Sequence, residues 1–514
     1  MFRRLLSVGG FTLLSRITGF CRDILMAAML GAGTMSDAFV VAFLFPNYFR
    51  ALFGEGTINP AFLPRYAALR ARGEIAEAAR FGDEVFSWQM AAQLAVLVAA
   101  MAAMPWVVRA LAPGFADNAG EMVLTAHLAR ITFPYLILTV VAVQLSAMLN
   151  ALEKFAAAAA WPVLLNVAMI AALLASAWFP TAAEAAAWGV LAGGVLQLVF
   201  ILWVARREGL DLRISWPRWT PEIKEFLIAF GAVTFGAASV MLAPFIDTVL
   251  ASFLETGSRT ALYYADRIDQ LPLGVLGIAL GTVLLPEMSA KLAVGDDTGS
   301  SAAQNRAASL ALLLTLPFAV AFVVIPSAIM RAVFAHGAFD PRAAAMSAMA
   351  LRAYGAGLPA FALVRIAQST YYARHDTMTP ARVTVGVIIA NISMKVAFVW
   401  GLGFGVAGLA FATALAAWIN VAVLVTIGRM RGLVHVNGVF WRALPPTLLA
   451  ALLTAAGALI GEYLGHTVPL HSGTLHDLAT LALAAVLGAA GYFATVVLFR
   501  QRLPLGRFAR GRVG

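Results

Sequence analysis

Seven basic residues stand inside long apolar stretches of this chain: Arg16, Arg22, Arg50, Arg267, Arg352, Arg365 and Lys395. Six of them are arginine, and that preference has chemical content. A guanidinium is a planar, permanently charged fork that grips two oxygens of a phosphate or carboxylate at once, whereas an ammonium offers a point charge. A charged side chain at the centre of a membrane-embedded helix costs about 2.5–3.5 kcal/mol on the lenient insertion scale. Left against lipid, the more central of the seven would together cost on the order of 10 kcal/mol, comparable to the stability of a whole domain. They are therefore expected to face a bundle interior or a wet cavity, either as members of structural ion pairs or as a binding set for an anion. Arg50 and Arg352 stand close enough to the ends of their stretches to snorkel. Arg16, Arg22, Arg50 and Arg267 make the candidate substrate set, a ladder of guanidiniums running from inside to outside and suited to phosphate oxygens.

Acidic residues accompany the ladder. Asp23, Asp37, Glu55, Asp266 and Asp269 are candidates for lining the cavity and holding the arginines in place while the site is empty. Arg16 and Asp23, seven apart, share one helical face and form a candidate internal pair. Asp247, Asn391 and Lys395 are a second polar group within apolar surroundings.

The elements that must position these side chains follow from composition. The chain has 514 residues, 61% hydrophobic and 12% charged, with a mean hydropathy of +0.85. Soluble chains run near half apolar and about a quarter charged. The single cysteine, Cys21, rules out a disulfide scaffold and a zinc ribbon. Apolar runs between turn and charge punctuation give fourteen candidate spans: 9–31, 35–54, 83–111, 124–149, 157–178, 184–205, 225–254, 259–286, 304–333, 344–373, 379–400, 404–428, 441–462 and 475–499. They are long, Leu/Ala-rich and without strict alternation, so they are helices rather than barrel strands. Arg16, Arg22 and Asp23 interrupt the first, and no small-residue cleavage site follows it, so it does not read as a signal peptide.

Counted with the residues near the span ends that border them, the termini and even-numbered connections hold twenty-four of the 36 basic residues, and the odd-numbered ones five. That asymmetry places both termini in the cytoplasm. It also accounts for most of the net charge of +10 without a nucleic-acid partner.

The chain resembles itself at an offset of roughly 220 residues. Gly33-Thr34, with Ala38, Phe39, Pro46 and the closing Phe62-Leu63-Pro64, matches Gly257-Ser258, with Ala261, Leu262, Pro272 and Leu284-Leu285-Pro286. Trp188-Gly189-Val190-Leu191-Ala192-Gly193 matches Phe404-Gly405-Val406-Ala407-Gly408-Leu409. Six spans per half is an even number, so the halves form a parallel repeat, a common transporter plan. The expected fold class is an all-α polytopic membrane protein of about fourteen transmembrane helices. Two six-helix lobes, 1–220 and 221–435, would surround a central cavity, with two further helices and a basic tail over 436–514.

Other chemistries lack their residues. No Walker sequence occurs, and Gly401, Gly403 and Gly405 lie in a connection rather than in a dinucleotide fingerprint. The histidines, His127, His336, His375, His435, His466, His471 and His476, show no repeated metal-ligand spacing. No nucleophile with a base partner stands within a span. The expectation is a transporter rather than an enzyme, with no cofactor and no metal.

Particular motifs point further. Ser15-Arg16-Ile17-Thr18-Gly19-Phe20-Cys21-Arg22-Asp23, Asp37-Ala38-Phe39, Pro46-Asn47-Tyr48-Phe49-Arg50 and Gly54-Glu55-Gly56 resemble the first helices of the MurJ (MviN) lipid II flippases. Tyr263-Tyr264-Ala265-Asp266-Arg267 and Gly281-Thr282-Val283-Leu284-Leu285-Pro286 resemble their second lobe. These flippases belong to the multidrug/oligosaccharidyl-lipid/polysaccharide exporter superfamily. The resemblance implies transfer of an undecaprenyl-diphosphate-linked peptidoglycan precursor from the cytoplasmic to the periplasmic leaflet of a bacterial inner membrane. It assigns functional importance to Arg16, Arg22, Asp37, Arg50 and Arg267, and a lipid-tail groove to the last two helices. The implied partners are the diphosphate glycolipid and membrane lipids, with cell-wall synthesis proteins as candidate protein partners and a monomer as the oligomeric state. The alternative readings are a multidrug exporter of the same superfamily, against which the arginines argue, another lipid-linked oligosaccharide exporter of that superfamily, and a membrane scaffold for cell-wall synthesis.

Some relatives bind sodium through an aspartate on the seventh helix and an Asn and Asp four residues apart on the eleventh. Asp247 and Asn391 match, but Lys395 stands where the second acid belongs. A fixed ammonium repels a cation and is a candidate partner for Asp247. Transport is therefore expected to proceed unchanged when sodium is replaced by choline on both sides of the membrane. A strict sodium requirement, with sodium bound beside Asp247, would show this expectation wrong.

Overall fold

Helix boundaries in this chain are written by short polar residues and prolines. The fold comes from a computed structural model that describes residues 2–50, 57–467 and 473–504. Glu55 with Gly54 and Gly56, His471, and Arg507, Arg510 and Arg512 of the basic tail lie outside the described residues. Among those described the secondary structure is helical, with no strand.

The first compact unit comprises residues 1–260 with 337–339. It holds α1 (Phe2–Leu30), α2 (Thr34–Arg50), α3 (Ile58–Ala71), α4 (Ile75–Ala102), α5 (Met104–Leu111), α6 (Ala119–Thr132), α7 (Tyr135–Ala151), α8 (Phe155–Leu174), α9 (Ala182–Arg207) and α10 (Pro221–Ala251). Within it α1 packs on α8, α8 on α9, and α2 on α6. The second unit comprises residues 261–336 with 340–514. It holds most of α11 (Ser258–Ala293), then α12 (Asp297–Val324), α13 (Pro326–Phe334), α14 (Pro341–Tyr372), α15 (Met378–Val396), α16 (Gly405–Met430), α17 (Gly438–Thr467) and α18 (Thr474–Leu498). Here α14 packs on α12 and α16, and α17 on α12 and α18. The seventh expected span, α10, is grouped with the first unit by its packing against α3 and α4.

Caps set the starts. Asn118, Thr181, Thr220, Asp296 and Asp340 each accept a hydrogen bond from the backbone N–H three residues on, and Pro221 and Pro341 occupy the first helical position after two of them. Prolines set the breaks. The expected span 83–111 divides at Ala103 ahead of Pro105, 124–149 divides at Phe133–Pro134, and 304–333 divides at Ile325 ahead of Pro326. Proline lacks the N–H and disfavours helical geometry in the residue before it.

Hydropathy alone does not show α3. It lies in an expected connection and buries Ile58, Phe62 and Tyr66, with Phe62 stacked on Phe81 at 5.4 Å. The connection after α9 is extended and strapped to α4. The Arg213 amide donates to Asp83 at 2.8 Å, the Trp88 indole to the Arg218 carbonyl at 2.9 Å, and the Thr220 hydroxyl to Glu84 at 3.1 Å.

Among the described residues ten helical stretches are long and apolar enough to cross a membrane, or up to eleven if a bent pair within α10 is one span. The count of fourteen stays an expectation. α1, which carries Arg16, Arg22 and Asp23, is not among the ten.

α17 and α18 approach through small residues. A Cβ at Gly457 would lie 2.5 Å from the Leu487 carbonyl oxygen, and one at Gly465 would lie 2.6 Å from Thr480 Cα. Backbones this close are the usual mode of helix association where no water drives it. At Gly386, in contrast, nothing lies within 4 Å of an added Cβ. Gly457→Ala is therefore expected to lower the thermal midpoint in detergent, by overpacking of about 1–3 kcal/mol. Gly386→Ala is expected to leave it unchanged or raise it slightly through helix propensity.

Candidate functional site

Arg22 sits in the second half of α1 and is 7% exposed, with the adjacent Asp23 at 2%. Its Nε and Nη2 both donate to Asp23 Oδ1, at 3.1 and 2.7 Å. Its Nη1 donates to Asn166 Oδ1 on α8 at 2.9 Å. Asn166 is itself fixed on α1, its Nδ2 donating to the Ser15 carbonyl at 3.0 Å and to Thr18 Oγ1 at 3.2 Å. Phe43 of α2 presents its ring 5.6 Å from the guanidinium, and the Met169 sulfur lies 3.9 Å from Nη1. A buried guanidinium is tolerated only when paired and hydrogen-bonded, and three helices supply these contacts. The expected pairing of Arg16 with Asp23 does not form: Asp23 takes Arg22, one residue away, while Arg16 is exposed. Side chains seven apart meet only by spanning two turns, and the neighbouring guanidinium reaches Asp23 with less ordering.

The other expected residues are distributed along both units. Arg50 ends α2 half-buried, its Nε 3.4 Å from Asn47 Oδ1. The neighbouring Tyr48 hydroxyl donates to the Pro244 carbonyl at 3.1 Å and shares a hydrogen bond with Thr248 Oγ1 at 3.3 Å, tying α2 to α10. In the second unit Arg267 is half-buried over the Tyr263 ring, 4.6 Å from its centre. Asp266 accepts from Gln270 Nε2 at 2.5 Å. Asp269 is 4% exposed, and its Oδ1 has no hydrogen-bond partner among the described residues. Of the snorkelling candidates, Arg352 is exposed and donates to the Val323 carbonyl at the end of α12, at 3.1 Å.

Among the second polar group, Lys395 is 1% exposed and Asn391 6% on α15, while Asp247 is half-buried on α10.

Asp37, in the first turn of α2, has a different set of partners from those expected of it. Its carboxylate caps the start of α11. The Gly257 amide donates to Oδ2 at 2.6 Å, and the Thr260 amide and hydroxyl donate to Oδ1 at 2.8 and 2.5 Å. Asp37 is 2% exposed and Thr260 is fully buried. The first N–H groups of a helix have no partner within it, and the positive end of the helix favours a negative charge there. Gly257 adopts φ +93°, which only glycine tolerates readily, and so turns its amide toward the carboxylate. Asp37, Gly257 and Thr260 all belong to the first compact unit, so the cap joins two helix starts within it.

Sequence reasoning picked out Arg22, Asp23 and Asp37 but missed Asn166, Gly257, Thr260 and Glu121. A lone Asn in the Leu/Ala-rich run of α8 is a polar residue with nowhere to solvate, and that signal was available. Glu121 likewise stands at the head of an apolar run.

The family model described as "Lipid II flippase MurJ" matches residues 26–472. The chain is 40% identical over 476 residues to the probable lipid II flippase MurJ of Rhizobium tropici, covering 91% of this chain and 87% of that one. It is 33% identical over 504 residues to the lipid II flippase MurJ of Burkholderia cenocepacia, covering 96% of each. A solved structure titled as lipid II flippase MurJ in an inward closed conformation superposes with a TM-score of 0.77 over 96% of this chain and 99% of its own, at 21% identity. An inward-facing multidrug resistance MATE family transporter of the MOP superfamily gives 0.67 over 81% and 94%, at 16% identity, a likeness of fold alone. The residues matched span both units and include Asp37, Arg50 and Arg267 with the α2–α11 cap, and the chain belongs to the lipid II flippase MurJ family.

Proposed function

We propose that this chain moves lipid II, the substrate named for its relatives, across a bacterial inner membrane by alternating access. The observation that carries the reading is the Arg22 cluster: a buried guanidinium whose Nε and Nη2 both donate to Asp23 Oδ1. That Nε–Nη2 edge is the one a phosphate takes in bidentate contact. A diphosphate displacing Asp23 exchanges one anion for another, so Arg22 is never left buried without a counter-charge. Exposed Arg16, on the same helix, is the first contact, and Arg50 and Arg267 complete the set that follows the head group. The polyprenyl tail stays in lipid.

With both termini in the cytoplasm, Thr34 and Gly257 lie on the outer side. The Asp37 cap then serves as a clasp that keeps that side shut until the substrate is loaded. Each of its three hydrogen bonds to a charged acceptor is worth about 1.5–3 kcal/mol.

The reading is tested by depleting the protein in cells and measuring which leaflet holds the lipid-linked precursor. Accumulation on the cytoplasmic side supports it, and an unchanged distribution refutes it. Arg22→Lys keeps the charge and loses the fork, so complementation is expected to fail or weaken; full activity of Arg22→Ala would remove Arg22 from the substrate set. Asp37→Asn keeps the shape of the clasp and loses its charge. It is expected to raise labelling of a cysteine placed behind the clasp by an impermeant outer-side reagent about ten- to a hundredfold, the loss of one such bond corresponding to one to two decades.

A further inference from the structure

A cavity of about 210 Å³ opens beside the clasp, lined by Asp37, Asp117, Asn118 and Glu121 and by the turn after α10 with Ser252 and Thr256. Glu121 is 4% exposed. Its amide is taken by the Asn118 cap at 3.3 Å, and Asn118 Nδ2 reaches its Oε2 only at 3.5 Å. Its Oε1 has no hydrogen-bond partner among the described residues. Two buried carboxyl groups thus share one cavity in opposite circumstances. Asp37 accepts from three donors at a helix start, whereas Glu121 is almost undonated.

The charged groups on the elements packed against Glu121 do not neutralise it. α2 supplies Asp37, the turn 113–117 supplies Asp117, and the turn after α10 supplies Glu255. The start of α11 supplies Arg259, 8% exposed, whose charge acts on Asp37. α5 supplies Arg109 and α9 supplies Glu184, which lies 3.6 Å from His127 of α6 itself. Arg130 closes the last turn of α6, away from Glu121 at its start. Glu121 makes no ion pair among the described residues. Nor do three acids converge there at metal-ligating distance. Like charges in one low-dielectric site push their ionisations apart, the better-donated group staying charged.

We propose that Glu121 is a proton-binding site whose occupancy sets the strength of the Asp37 clasp. The inference rests on the clasp reading above. With Glu121 protonated, Asp37 holds the helix start without a second negative charge beside it. With Glu121 ionised, the repulsion is relieved by Asp37 leaving Gly257 and Thr260. The closed clasp thus binds one more proton than the open one. It is strongest at low outer pH and weakens about tenfold per pH unit as pH rises through the interval between the two states.

The test is amide hydrogen exchange of the peptide over residues 257–261 in the purified full chain, without lipid substrate, across pH and beside variants measured at each pH. Wild type is expected to match Glu121→Gln at low pH and to lose protection relative to it, about tenfold per unit, as pH rises. Glu121→Asp, which keeps a carboxyl group, is expected to retain a pH response and guards against a folding defect in the amide variant. A wild type that tracks Glu121→Gln at every pH overturns the proposal, as does a folded Glu121→Asp without pH response. Protection that follows added sodium or calcium at constant pH, and not pH, assigns the site to a metal cation and overturns it equally. Asp37→Asn is expected to lose protection at every pH. If it does not, the clasp reading itself fails, whereas an intact Asp37→Asn effect with a pH-blind wild type removes only the proton site. The leaflet assay of lipid II reports on neither.

Discussion

Inside a bilayer no water stands ready to satisfy a charge or an orphaned backbone group, so each must find its partner within the chain. Arg22 shows how much structure that requirement recruits. Asp23 from the same helix, Asn166 from α8 and the ring of Phe43 from α2 all converge on one guanidinium, and Asn166 is tied back to α1 through Ser15 and Thr18. The packing of α1 on α8 is therefore also the solvation shell of a charge. A counter-ion that sits on the bidentate edge of the guanidinium is at once its stabiliser and the competitor of any phosphate that comes to bind.

The same requirement read from the acidic side gives the clasp. A carboxylate in the first turn of α2 is as costly as an arginine unless something donates to it. The start of α11 has backbone N–H groups that its own helix leaves unpaired. Asp37 and α11 solve each other's problem. Such a bond is short and buried, and its strength depends on the charge around it. Glu121, in the same cavity, has no comparable donor.

Away from the charges, the apolar helices associate by close backbone contact. α17 and α18 meet through Gly457, Gly461, Gly465, Ala484 and Gly488. Beyond Arg442 near its start, α17 carries no Lys or Arg, and α18 carries none.

The all-helical, membrane-spanning class was legible in the composition, because twenty consecutive apolar residues have few other fates. The arginine-rich first helix was legible too, since six arginines amid apolar runs are too costly to be accidental. The helix breaks at Pro105, Pro134 and Pro326 were written in the chain but were masked by unbroken hydropathy. Partner choice was not there to be read. Asp23 was equally available to Arg16 and Arg22 by face, Asp37 looked like one more carboxylate beside an arginine, and Asn166 and Glu121 were single letters in apolar runs. Hydropathy and periodicity are sums over neighbours in sequence, and they determine which segments enter the membrane and which of them carry charge. Which donor meets which acceptor depends on residues 144 or 220 positions apart being brought within 3 Å, and only the packed tertiary structure decides that.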